Sequence, residues 1–307
     1  LLLRPRTASG ESSWSLDTKV NGDVRIALVV MHSLVGKVSE NLEKTRHFAR
    51  EAARREAHLV CFPEMSLTGY CLSGDIVQTA EPIPGALSRQ VGDLARSLGI
   101  IVLVGMLERG PDERLHIAHV VGHPNGGVTA YRKTHLNPVE KALYRAGEQV
   151  PVFAAAGHFR FGIQLCYDAH FPELSTQMAL GGAEVLFLPH ASPGRTPRAK
   201  EASWMRHLPA RAYDNGLFVA ACNQTGDNGA GLSFPGLALV LDPLGTVLAR
   251  EATGAEGMLL AELPAANLRH VQRHRMRYFL PHRRPDLYRA EPTTIHMSQP
   301  GTGEASP

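Results

Sequence analysis

The sequence predicts an α/β fold of two mixed β-sheets with helices on their outer faces. Three observations predict it. Short apolar, β-rich runs alternate with helical stretches in both halves of the chain. Hairpin signals separate those halves, which favours mixed sheets. The 307 residues show no internal repeat and no dividing linker, and that length suits one large domain or two small ones.

Residues 1–22, rich in Ser, Thr and Gly, read as a flexible leader. VRIALVV (24–30) opens the first sheet. A helix is expected from Ser39 to Glu56, with Ser39 as N-cap. HLVCF (58–62) is a buried strand, and GALSRQVGDLARSLG (85–99) a helix closed by Gly99. IIVLVG (100–105) is a strand. RLHIAHVVG and GGVTAYRK flank HPNGG (123–127), a hairpin signal. GHFRFGIQLC (157–166) is strand-like, PELSTQMALGG helical and AEVLFLP (183–189) a strand. EASWMRHLPARAYDNG (201–216) reads as one amphipathic helix stopped by Asn215-Gly216. LFVAACN, GLALVLDPLGTVLAR and GMLLAEL supply further strands, with a hairpin turn at Pro243–Gly245. AANLRHVQRHRM (265–276) is the final helix, and the tail from Thr293 reads as disordered.

Composition excludes several classes. A formal charge of +3 is too small to argue for a nucleic-acid partner. The basic stretch at 269–289 is poor in aromatics and reads as a solvated helix face plus a tail packed on a partner subunit. Cys61, Cys71, Cys166 and Cys222 are widely spaced, with no CxxC pair. That suits reduced thiols in a cytoplasmic enzyme better than a disulfide framework or zinc site. No apolar run approaches membrane-spanning length, and LLLRPRTASGESS makes a poor signal peptide. His116, His119 and His123 lie close in sequence, but His116 and His119 have opposite parity on a strand. No HExxH occurs, so neither metal nor cofactor is expected.

Three strands run into polar residues with chemistry to offer. HLVCF leads to Glu64, GGVTAY to Lys133 and FGIQL to Cys166. Singly, each has a bland reading: a helix-start carboxylate, a solvated edge lysine, a buried core cysteine. Jointly they make a set that amide chemistry can use. An amide carbon is a poor electrophile and calls for a strong nucleophile. A thiol is mostly protonated at neutral pH, so a carboxylate serves as base. The tetrahedral oxyanion then wants a fixed cation and an N–H donor. The protonated carboxylate can release the amine and later activate water against the thioester.

CFPEMSLTGY (61–70), YRKTHL (131–136) and LCYDAHFPE (165–173), in that order, resemble the glutamate, lysine and cysteine motifs of the nitrilase superfamily, the carbon–nitrogen hydrolases. The resemblance runs from VRIALVV to RRPDLY (283–288). It implies a four-layer α-β-β-α sandwich. It further implies Glu64 as general base, Lys133 as oxyanion stabiliser and Cys166 as nucleophile. Glu140 matches a second glutamate that holds the lysine and helps orient substrate. Tyr167 would contribute its backbone N–H. On this reading residues 23–280 form the hydrolase domain and 281–307 a C-terminal arm, packed on a partner in a homodimer before becoming disordered.

True nitrilases usually show Cys-Trp-Glu at the nucleophile; here it is Cys166-Tyr167-Asp168, similar to the amidase and carbamoylase branches. The leading expectation is hydrolysis of a small linear amide or N-carbamoyl amine. A nitrilase is the alternative inside the family, and a non-enzymatic binding module on the same fold the alternative outside it. Related amidases often carry Arg where this chain has His170. That substitution removes a fixed charge from a candidate substrate contact. Tyr70 and Trp204 are candidate pocket or core residues.

Overall fold

The computed structural model describes residues 22–155 and 159–288. In chain order these form β1 (Val24–Val30), α1 (Val38–Arg54), β2 (Leu59–Cys61), α2 (Ala86–Leu98), β3 (Ile101–Arg109), β4 (Leu115–Gly122) and β5 (Val128–Arg132). The second half has β6 (Phe153–Ala155), β7 (Phe159–Ile163), α3 (Pro172–Leu180), β8 (Val185–His190), α4 (Pro197–Trp204), α5 (Leu208–Asn215) and β9 (Phe218–Asn223). It continues with β10 (Thr225–Asp227), β11 (Ser233–Pro235), β12 (Ala238–Leu241), β13 (Val247–Glu251), β14 (Gly257–Leu263) and α6 (Ala265–Gln272).

Two six-stranded sheets result, ordered β14-β1-β2-β3-β4-β5 and β13-β12-β9-β8-β7-β6. The centre of each is parallel, β1-β2-β3 and β7-β8-β9, and the outer pairings are antiparallel. Period-two alternation sorts the first sheet's side chains. Ile26, Leu28 and Val30 face the large core between the sheets; Ala27, Val29 and Met31 face a second core under α1 and α2. α3 and α5 cover the second sheet. The Cys222 thiol on β9 donates to the Cys61 carbonyl on β2 at 3.8 Å, so the sheets meet face to face. This is the α-β-β-α layering the sequence led us to expect.

Several boundaries differ from expectation. α1 starts at Val38, so Ser39 lies inside its first turn and caps nothing. The single helix expected over 201–216 is two, α4 and α5, broken at Met205–His207. Pro209 explains the break. It lacks an N–H and fits only a first helical turn, so a helix restarts at Leu208. The expected Asn215-Gly216 stop holds, with Gly216 left-handed at φ +61°. β6, β10 and β11 were not anticipated; each is only three residues long. α6 ends at Gln272, short of Met276. Of the expected leader at 1–22, residues 1–21 lie outside the described residues, as do 289–307 of the expected arm, with the whole tail from Thr293.

Candidate active site

Glu64 stands three residues beyond β2, fully buried. Its backbone is set from below and above. Gly105 on β3 passes under the Glu64–Met65 peptide so closely that a Cβ there would meet the Met65 nitrogen at 2.1 Å. Gln224 Nε2 donates to the Glu64 carbonyl at 2.7 Å. The Glu64 carboxylate accepts the Ala191 N–H on Oε2 at 2.9 Å, from the loop after β8.

Lys133 follows β5, with its side chain wholly out of water. Its Nζ donates to Glu64 Oε1 at 2.8 Å and to Glu140 Oε1 at 2.7 Å. Glu140 begins a short 3₁₀ turn, Glu140–Ala142, and is also buried. The Tyr70 hydroxyl donates to Glu140 Oε1 at 2.8 Å and the Asn137 N–H to Oε2 at 2.9 Å. A buried ammonium is tolerable only when paired and hydrogen-bonded, and two carboxylates supply this. Burial works against the Lys133 charge, but Glu64 and Glu140 outweigh it and hold its pKa above the ordinary value. It is a permanent cation.

β7 stops at Ile163, and Cys166 opens a 3₁₀ turn, Cys166–His170. Cys166 is half-buried, with φ at +44°. A non-glycine residue in that region is strained by about 1–3 kcal/mol, and such strain concentrates at functional sites. Asp168 fastens the turn. Its buried carboxylate accepts the Leu165 N–H at 2.9 Å and the Tyr131 hydroxyl at 2.8 Å on Oδ2. On Oδ1 it accepts the Thr134 hydroxyl at 2.9 Å and the His135 N–H at 2.8 Å. One carboxylate thus joins the cysteine turn to the two residues following Lys133.

Burial, reinforced by the negative charge of Glu64, pushes the Cys166 thiol up to about 12. Burial likewise raises Glu64 to about 7, against the pull of Lys133. The resting pair is a neutral thiol and a carboxyl group poised at neutrality. That combination suits proton removal during attack better than a preformed thiolate.

The structure therefore brings Glu64, Lys133 and Glu140 into direct contact, with Cys166 within electrostatic reach of all three. Tyr167 follows the thiol directly, its half-buried ring against Phe171. His170 has no described contact with Glu64, Lys133, Glu140 or Cys166; its ring lies 5.6 Å from that of Tyr167. It is exposed, its ring 4.5 Å from that of His207, and burial and Arg211 lower its pKa. Trp204 is buried against His190, at 4.5 Å between rings. Sequence reasoning gave Asp168 no role beyond marking a branch; its position two residues after the cysteine was the available signal. The Ala191 N–H left no signal, because every residue type carries one.

The family described as Carbon-nitrogen hydrolase matches residues 25–273. Among curated proteins, the deaminated glutathione amidase of Mus musculus is 35% identical over 305 residues, covering 93% of this chain and 88% of its own. The nitrilase of Pyrococcus abyssi is 29% identical over 268 residues, covering 86% and 99%. A solved variant of the amidase from Nesterenkonia sp. AN1 superposes with a TM-score of 0.74 at 29% identity, over 87% of this chain and 95% of that one. It shows covalent addition of the acetamide moiety of fluoroacetamide at its active-site cysteine.

Proposed function

This chain belongs to the carbon–nitrogen hydrolase family, and from that membership we propose that it hydrolyses a small linear amide or N-carbamoyl amine through a thioester on Cys166. The observation that carries the reading is the Lys133 ammonium, clamped at 2.7 and 2.8 Å between Glu140 and Glu64 beside a strained, half-buried thiol.

The steps follow from the charges. Ionised Glu64 takes the thiol proton as Cys166 Sγ attacks the carbonyl carbon. Negative charge moves to the substrate oxygen, where the Lys133 ammonium and the Tyr167 N–H offset it. Glu140 and Tyr70 keep Lys133 aimed. The tetrahedral adduct collapses, and Glu64 gives its proton to the departing nitrogen, releasing ammonia or amine. Glu64 then takes a proton from water, hydroxide attacks the thioester, and the acid leaves as the thiol is reprotonated. His170, whose ring lies 5.6 Å from that of Tyr167, is assigned as an outlying substrate contact.

Nitrile hydrolysis is the second reading, favoured by the similarity to the Pyrococcus abyssi protein; the Cys166-Tyr167-Asp168 triplet weighs against it. The reading includes a homodimer. Tyr213 on α5 and Phe279 beyond α6 are both exposed, their rings 5.6 Å apart, and Met276, Leu287 and Tyr288 add further exposed apolar surface. A second copy against this surface would take the described part of the arm, 281–288, as a contact. A cytoplasmic setting is supported by four free cysteines. No described helix is long and apolar enough to cross a membrane.

The test is ammonia release from a panel of amides, N-carbamoyl amines and nitriles, with mass spectrometry of the Cys166 peptide after rapid acid quench. An acyl adduct on Cys166 with an amide or carbamoyl substrate is the expected result. Release with no adduct, undiminished in Cys166→Ala, would overturn the mechanism.

A further inference from the structure

Lys200 is the fourth residue of α4, whose start is capped by the Thr196 hydroxyl accepting the Ala199 N–H at 3.2 Å. A cation this close to a helix N-terminus opposes the helix dipole, so local structure gives no reason for a lysine here. The side chain is half-buried and folds back over the preceding loop. Its Nζ donates to Ser192 Oγ and to the Pro193 carbonyl, both at 2.7 Å.

That loop is fastened to the candidate site. Ser192 donates its N–H to Asn223 Oδ1 and accepts Asn223 Nδ2 on its carbonyl, each at 2.9 Å. The adjacent Ala191 N–H is the one that holds Glu64 Oε2. The ammonium is therefore seated on a segment whose preceding residue grips the general base. Burial lowers the Lys200 pKa. Among the described residues Lys200 makes no ion pair, and the two protein acceptors of its Nζ are both neutral oxygens. A partly desolvated ammonium with only neutral protein partners pairs favourably with an anion that reaches it.

We propose that Lys200 anchors a carboxylate of the substrate, so that the C–N bond cleaved at Cys166 belongs to a small acid carrying a terminal amide or carbamoyl group. The inference rests on the amidase reading above and narrows its substrate class. His170 cannot serve this purpose as well. It is exposed, its ring tilted against that of His207, and burial and the Arg211 charge lower its pKa.

The experiment uses matched pairs in which a terminal methyl replaces the carboxylate: butyramide against succinamate, and valeramide against glutaramate. The quantity read is the ratio of kcat/KM for acid over neutral amide. A role confined to bracing the loop would slow both members of a pair alike and leave that ratio alone. The wild type should prefer the acid in at least one pair. Lys200→Met should lower that ratio by about tenfold or more, the scale of one hydrogen bond to a charged group, and Lys200→Arg should retain most of it. A ratio unchanged within about twofold in Lys200→Met would overturn the assignment. A second arm titrates Cys166→Ala protein with succinamate and butyramide by calorimetry. Tighter succinamate binding is expected, and equal or absent binding of both would also overturn it. Failure of the wild type to turn over any of the four amides would instead sink the amidase reading, and calorimetry alone would then judge Lys200.

Discussion

Two lysines lie within electrostatic reach of Cys166, and they are held in opposite ways. Lys133 is fully buried and clamped by two carboxylates, so its charge is fixed and its pKa raised. Lys200 is half-buried, bonded to a hydroxyl and a carbonyl, and its pKa is lowered. The difference teaches that burial does not assign a role; the partner does. A lysine whose anions are built into the protein can stabilise charge that appears briefly in a transition state. A lysine with neutral partners has capacity left for an anion that arrives with the substrate.

Removing Cys166 is the largest perturbation. Cys166→Ala should abolish turnover while the chain still folds, and iodoacetamide should inactivate the wild type by alkylating Cys166. Substantial activity in the variant would remove the ground for comparing the lysines. Next is Lys133→Met, which should cut kcat at least about a hundredfold, as loss of an oxyanion donor does. It should also destabilise the fold by about 3–5 kcal/mol in urea titration, because Glu64 and Glu140 lose their buried partner. Lys200→Met, losing bonds only to neutral oxygens, should cost about 1 kcal/mol. Equal losses from the two would erase the distinction.

Glu64 sharpens the comparison through pH. As the proposed base, Glu64 must be ionised, so kcat/KM should rise with pH and level off above about 7. Cys166, raised to about 12, stays a thiol throughout the neutral range and contributes no limb there. The raised Glu64 pKa also has a stability consequence. Its contribution is present below the ordinary carboxylate value of about 4.5 and is lost as the pH climbs through about 7. Glu64→Gln should remove that dependence and lower kcat at least about a hundredfold. A flat wild-type profile from pH 5 to 8 would mean that another group is the base. The smallest effect belongs to His170→Arg. An exposed charge is screened by solvent, so the preference for acidic over neutral amides should shift by less than about twofold. A larger shift would move the substrate's anionic end from Lys200 towards His170.

Sequence by itself determined the α/β class, most strands and the ordered glutamate, lysine and cysteine motifs. Those features are local: alternation sets strands, Gly99 and Gly216 close helices, and each motif sits within a few residues of its strand. Tertiary structure alone decided what those residues meet. Glu64 and Lys133 are 69 positions apart, yet 2.8 Å separates their charges. Asp168 joins loops more than 30 positions apart, and the Ala191 N–H reaches Glu64 across 127. The split of α4 from α5 was partly legible in Pro209 but needed the packed helices to locate it. The standing of Lys200 was not legible at all. A lysine's pKa and free hydrogen-bonding capacity depend on how much water and which charges surround it, and only the folded chain fixes those distances.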